Sequence, residues 1–416
     1  MPVVPAFISS NGDPGVLTIN ALKSMKVFVK MDFSGALFDN STRSIWQTRC
    51  EYWIAESEPK ISRRLRERES APLILTGHGL SLRVDKGCLL VKDGNTHYPA
   101  EPRQWRFFPG GLDIPPILVV IDGSGEITMD AIDWLGTQGV SLIRLRWDGQ
   151  FVSVVTTGGQ AAAADRVHWQ MMTRDEPEAR LAFSLDLIRE KVNNSLRTME
   201  DLPRTPTWDR AYKDIVTRAK WLERRPPRTI ASLLGIEGVI AANYFRAWSG
   251  ISLKWKALKK HPIPEDWDAY QSRTALRDGV GRSNRGATHP VNAMLNYAYG
   301  VLVARTQVQL IVQGYDPTVG VMHDNKFLRG TYPAFVLDHI EPLRPLVDSA
   351  VLNLIAANTF TGADFSIQSD GACRLNPELA RRIAQLAMER CDSLPYPKRG
   401  WRYQRRRSPR AVDAGI

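Results

Sequence analysis

The feature that most constrains this chain is a change of hydrophobic period near residue 160. Upstream, from Pro72 to about Thr157, apolar residues come in short runs: Leu73–Leu75, Leu80–Val84, Cys88–Lys92, Trp105–Phe108, Ile117–Ile121, Val140–Arg146 and Phe151–Val155. Asp93-Gly94, Asp122-Gly123 and Asp148-Gly149 punctuate these runs, and such pairs accept the positive φ that tight turns need. Thr128–Gln138 reads as one short helix between two strands. Downstream, Leu181, Leu185, Ile188 and Val192 form one stripe of an amphipathic helix. Further helices are expected at 208–224, 236–248, 289–313, 335–357 and 376–391. Thr288 is placed to cap the 289–313 helix, with Pro290 in its first turn and Gly314 closing it.

The fold class expected is therefore α+β, a small β-rich N-terminal domain followed by a larger all-α catalytic domain. The divisions fall at 1–70 (an extension of unassigned role), 71–160 (β-rich), 161–395 (all-α) and 396–416 (a basic tail). Residues 1–58 carry no periodicity long enough to assign. Lys60 to Glu69 mixes basic and acidic residues and reads as a solvated linker or short helix, with a DNA contact as the alternative.

Charge and cysteine usage narrow the partners. The 55 Lys+Arg against 44 Asp+Glu leave +11, which favours a polyanion over an acidic small molecule. More than half of that surplus lies in 398–416, where seven basic side chains face the single acid Asp413. Cys50, Cys88, Cys373 and Cys391 lack zinc-ligand spacing and a disulfide framework, as expected of a reducing cytoplasm. No run approaches the roughly 18 apolar residues that span a bilayer, and no signal-peptide pattern opens the chain, so no membrane association is expected.

Four residues stand out for chemistry. Glu237 sits in the apolar stretch Leu233-Leu234-Gly235-Ile236-Glu237-Gly238 at the apparent start of a helix, either as a first-turn acid facing the helix dipole or as a ligand. His323 ends the turn-rich loop that begins at Gly314, and reads as structural or as a ligand. Asp338 and Glu341, three apart, share one helix face, and Pro342 fits there only if both acids occupy a first turn. One imidazole with two or three carboxylates suits Mg²⁺ or Mn²⁺ and leaves positions open for phosphate oxygens.

These pieces, in this order, resemble the integrase of CRISPR adaptation, the CRISPR-associated protein one family. The matching stretches are Lys191-Val-Asn193-Asn194, Leu234 to Gly238 with Tyr244-Phe245, Pro290 to Tyr299, Gly314 to His323, and Leu337 to Asp348, over about 70–395. The resemblance implies that Glu237, His323 and Glu341 are the metal ligands and that Asp338 is a supporting member of the catalytic set. It also implies a helix behind the site carrying Asn292, Asn296, Tyr297 and Tyr299. The two tyrosines read as packed residues with satisfied hydroxyls or as contacts to DNA or the metal shell. Arg282, Arg285 and Arg344 are candidate phosphate contacts, although Arg344 can equally pair with Asp348.

The family further implies a homodimer formed through the β-rich domain, assembly with CRISPR-associated protein two, and joining of the 3′ ends of a captured duplex to a repeat array. The interval from His323 to Asp338 looks longer than is usual in the family. A transposon-type integrase and a structure-specific repair nuclease share the same metal site and are the alternative enzymes, and a non-enzymatic DNA scaffold is the alternative of a different class.

Overall fold

The upstream apolar runs pair into one mixed sheet. Its strands are β1 (Leu73–Asp85), β2 (Cys88–Lys92), β3 (Gln104–Phe107), β4 (Ile117–Ile127), β5 (Ser141–Leu145) and β6 (Phe151–Val155), in the order β3-β2-β1-β4-β5-β6. In this computed structural model the described residues are 45–57, 69, 71–97, 101–155, 162–273, 275–277, 281–283, 287–323 and 333–392; for 275–277, 281–283 and 391–392 this means the backbone alone. β1 pairs antiparallel with β2 and parallel with β4, β4 is parallel to β5, and β5 is antiparallel to β6. The runs 73–75 and 80–84 are one strand, not two. Its register shifts at His78, where Gly77 and Gly79 take φ of 92° and 77°. A Cβ on Gly123 would lie 1.8 Å from the Gly77 carbonyl oxygen, so this bulge depends on bare backbone.

Period-two alternation gives the sheet two apolar faces. Leu75, Leu118, Val120 and Leu89 pack against Ala131, Trp134 and Leu135 of the crossover helix Met129–Gln138, which Thr128 caps at Ala131 N. Ile74, Val119, Ile121, Ile143 and Leu145 face the other way and share one continuous core with the helical half. Each such buried aliphatic side chain contributes roughly 1.5–3 kcal/mol.

Numbering helices in chain order, α1 is Ile45–Ser57 and α2 is the crossover helix; α3 (Ala164–Asp175), α4 (Pro177–Met199), α5 (Pro206–Arg224) and α6 (Ile230–Ala247) follow. Then come α7 (Pro290–Val312), α8 (Ala334–Ile340), α9 (Arg344–Ala357) and α10 (Pro377–Asp392). The helical half is not all-α. It holds three two-stranded pairs: β7 (Lys254–Trp255) with β10 (Thr359–Phe360), β8 (Ala275–Arg277) with β9 (Gly281–Ser283), and β11 (Phe365–Ile367) with β12 (Cys373–Leu375). The expected helix at 335–357 is two helices, because two prolines interrupt it: Pro342 falls in the turn between them and Pro345 opens α9. His289, not Thr288, caps α7, accepting from Val291 N at 3.1 Å, while the Thr288 carbonyl accepts from the Trp267 indole.

Two devices lock sheet to helices. The β5–β6 turn at Gly149 lies directly on α7, where a Cβ on Gly300 would meet the Gly149 carbonyl oxygen at 1.8 Å. Arg381 of α10 reaches Asp93 at 2.5 Å, the Ile74 carbonyl at 2.6 Å and Glu378 at 2.9 Å.

Helix α1, invisible to periodicity, docks on the helical half through Trp53, which is fully buried, and through Arg49, which pairs with Asp364 at 2.6 Å. The Trp53 indole donates to the same carboxylate at 2.8 Å.

Candidate active site

Helix α6 carries Glu237 in its interior rather than in its first turn; Thr229 caps the helix by accepting from Ser232 N at 3.2 Å. The helix dipole therefore has little hold on Glu237, and its partner is a cation instead. That cation is Lys191 on α4, whose amine pairs with Glu237 and, at 2.5 Å, with Glu341. Two carboxylates 104 positions apart along the chain thus converge on a single nitrogen.

Glu341 is held from both sides. It caps the end of α8, and Arg344 approaches its other oxygen at 3.4 Å. Burial alone would raise the Glu341 pKa, but the Arg344 and Lys191 cations outweigh it and hold the carboxyl down to about 2. The first-turn reading of Asp338 and Glu341 does not hold: Asp338 lies in the last turn of α8 and Glu341 follows it. The α8–α9 junction is fixed by α4, with Asn194 donating to the Pro342 carbonyl at 2.8 Å and Thr198 to that of Pro345 at 2.6 Å.

Asp338 is fully buried and does two things. Its carboxylate accepts the backbone N–H groups of Val321, Met322 and His323 at 2.7, 3.0 and 2.9 Å, and it contacts His323 Nδ1 at 2.7 Å. With a proton on Nδ1 facing the carboxylate, the lone pair of the imidazole resides on Nε2. The loop and the ring are thus positioned by one acid.

A cavity of about 1210 Å³ is lined in part by Lys191, Glu237, Arg344, Arg273 and Tyr299. The Tyr299 ring has Arg273 and Arg344 each 5.4 Å from its centroid, and its hydroxyl donates to Asp348 at 2.5 Å. Tyr244 donates to the other Asp348 oxygen at 3.0 Å. Asp348 is thus satisfied by two phenols, and burial raises its pKa to about 6 despite them. Tyr297 is buried, consistent with packing.

Of the sequence-based candidates, the structure brings Glu237 and Glu341 together, joins His323 to Asp338, and pairs Arg344 with Glu341. Among the described residues no three His, Cys, Asp or Glu side chains lie close enough to share an ion. The chemistry of the donors nevertheless suits a hard divalent cation, because two carboxylates already enclose one cationic centre, the Lys191 ammonium. Arg285, the Arg282 side chain, the 324–332 loop and the basic tail lie outside the described residues.

Sequence reasoning gave Lys191 and Arg273 no role. The signal for Lys191 was a lysine on the buried face of α4, between Ile188 and Ser195, where a charge requires a partner.

Residues 73–389 match the family model described as CRISPR associated protein Cas1. The chain belongs to the Cas1 family. Among its relatives is CRISPR-associated endonuclease Cas1 1 of Methanospirillum hungatei, 25% identical over 322 residues, covering 76% of this chain and 87% of the relative. A CRISPR-associated exonuclease Cas4/endonuclease Cas1 fusion of Rhodospirillum rubrum is 30% identical over 295 residues, 70% of this chain; the match spans 47% of the fusion, about half its length. A solved casposase bound to its integration product superposes with a TM-score of 0.61 at 26% identity, over 77% of this chain and 82% of the casposase. A Cas6-RT-Cas1–Cas2 complex shares the fold, with a TM-score of 0.58 at 18% identity over 91% of this chain and 40% of the other. The α1 helix precedes the family match, so its docking on the Cas1 helical half is an addition to the matched region.

Proposed function

We propose that this Cas1-family protein is a divalent-metal-dependent DNA integrase and endonuclease of CRISPR adaptation, joining the 3′ ends of captured double-stranded DNA to a repeat array by transesterification. The observation that carries the reading is the convergence of Glu237 and Glu341 on one cationic point, the Lys191 ammonium, in the wall of a large cavity that also presents Arg273 and Arg344. Glu237, His323 and Glu341 would hold Mg²⁺ or Mn²⁺, with Asp338 setting the imidazole. When bound, the ion supplies Lewis-acid activation of the attacking 3′-hydroxyl and charge neutralisation at the leaving 3′-oxygen.

The rest falls to the protein. One P–O bond to a DNA 3′-oxygen breaks as one to the incoming 3′-oxygen forms; the proton of the attacking hydroxyl passes to water, and the departing 3′-oxygen takes one from water to become a hydroxyl. Asp338 fixes which face of His323 meets the site. Arg273 and Arg344, each held near the Tyr299 ring, line the cavity, where bidentate contact with phosphate would set the register of the strand. Membership of the Cas1 family is what supports assembly as a homodimer through the β-rich sheet with a Cas2-type companion. A cytoplasmic location follows from the DNA it would act on; among the described residues no helix is long and apolar enough to cross a membrane.

The similarity to a casposase bound to its integration product favours a second reading, a transposon-type integrase using the same residues. An integration assay with labelled duplex and a plasmid carrying a repeat array separates the possibilities. The first reading expects Mn²⁺- or Mg²⁺-dependent joining at the repeat boundary, lost in Glu237→Gln and His323→Ala with duplex binding retained. Joining without preference for the repeat supports the second, and joining that survives both substitutions defeats both.

A further inference from the structure

The cation enclosed by Glu237 and Glu341 is not an incidental neighbour. Two carboxylates brought to one point repel unless a positive charge sits between them, so something must fill that position whenever divalent metal is absent. Lys191 does so from α4, a helix fixed independently by Asn194 and Thr198.

We propose that Lys191 is a built-in counter-ion: it occupies the divalent-cation position in the metal-free protein, and metal binding displaces its ammonium toward the cavity, where it meets a DNA phosphate. This rests on the metal-binding reading above and deepens it.

Three features favour exchange over a permanent ion pair. The residue is lysine, a compact charge on a flexible stem that can swing, whereas an arginine fork would bind both acids more rigidly. Lys191 lines the cavity, so the space into which it would move already exists. And the pair is not sealed off, because Glu237 keeps 21% of its side chain exposed beside the cavity. His323 is engaged through Nδ1 with Asp338 and keeps Nε2 for a later contact. Exchange also suits the substrate: the site takes a divalent charge in place of a single one, and the released ammonium adds to the positive wall formed by Arg273 and Arg344.

The test uses the full-length chain. Mn²⁺ affinity is measured by titration calorimetry and by the paramagnetic resonance of free Mn²⁺, for the wild type, Lys191→Met and Glu341→Gln. Lys191→Met should melt at a lower temperature without metal and bind Mn²⁺ on the order of tenfold more tightly. It should also gain more thermal stability from Mn²⁺ than the wild type does, and Glu341→Gln should bind more weakly. A measurement on unaltered protein guards against a misfolded variant: reductive methylation of Lys191, read by peptide mass spectrometry, should rise when Mn²⁺ is added, while exposed Lys254 stays constant. Mn²⁺ binding with equal affinity in wild type and Lys191→Met, and with Lys191 methylation unchanged, overturns the exchange and leaves the metal site standing. No Mn²⁺ binding to either protein overturns both.

Discussion

Among the described residues, two clusters set one cation between two carboxylates, and they are built for different ends. Arg381 joins Asp93 and Glu378 and also donates to the Ile74 carbonyl; cation and acids are all at most 3% exposed. Lys191 joins Glu237 and Glu341 with 14% of its side chain and 21% of that of Glu237 exposed, on a cavity wall. The charge pattern is the same. The first cluster uses a rigid fork, adds a backbone acceptor and excludes water, which suits a rivet between α10 and the sheet. The second uses a pivoting point charge at a solvent boundary, which suits a site that must change occupant.

Removing each cation in turn separates the two clusters most strongly. Arg381→Ala should cost about 3–5 kcal/mol of unfolding free energy in a urea titration, because it leaves buried acids uncompensated. Lys191→Met should cost clearly less, since Glu237 is 21% exposed and Arg344 remains beside the buried Glu341; equal losses would mean that both clusters are structural.

Another buried acid extends the contrast, because Asp348 accepts from the Tyr244 and Tyr299 hydroxyls. Its pKa is raised from 3.8 to about 6. A group raised in the folded state contributes stability that is complete below its unfolded value and lost as pH rises through the folded one. Stability should therefore fall by about 2–3 kcal/mol between pH 4 and pH 7 on account of Asp348, and Asp348→Asn should remove that fall in denaturant titrations across the range. Glu341 runs the other way: lowered from 4.5 to about 2, its contribution is present above pH 4.5 and disappears as pH falls through 2.

The smallest effect belongs to the helix that presents Glu237. Thr229→Ala removes its cap and should cost about 1 kcal/mol in thermal melts, with strand joining reduced no more than a few-fold.

How much of this was legible in the sequence depends on the range of the cause. The period-two runs and the stripe at Leu181, Leu185, Ile188 and Val192 are local, and the sheet and α4 follow from them. Helix ends were less legible: His289 displaced Thr288 as a cap, and the paired prolines split one expected helix into α8 and α9. Helix α1 could not be seen because its buried set, Gln47, Arg49, Cys50, Trp53 and Ser57, is mostly polar; Arg49 is matched by an aspartate 315 positions away.

Within the site, the family resemblance singled out Glu237, His323, Asp338 and Glu341, and their identity as acids and imidazole needed no coordinates. Their pairing did. No spacing reveals that Lys191 lies between residues on α6 and at the end of α8, or that Asp338 gathers three loop amides before it touches His323.

The central claim, that Glu237, His323 and Glu341 hold one divalent cation, is tested most directly by anomalous scattering from crystals of the full chain grown with Mn²⁺. A single anomalous peak is expected within coordination distance of all three side chains, with Asp338 still on His323 Nδ1. A peak bound elsewhere, or none at all with the Lys191 amine still seated between the two glutamates, would contradict it.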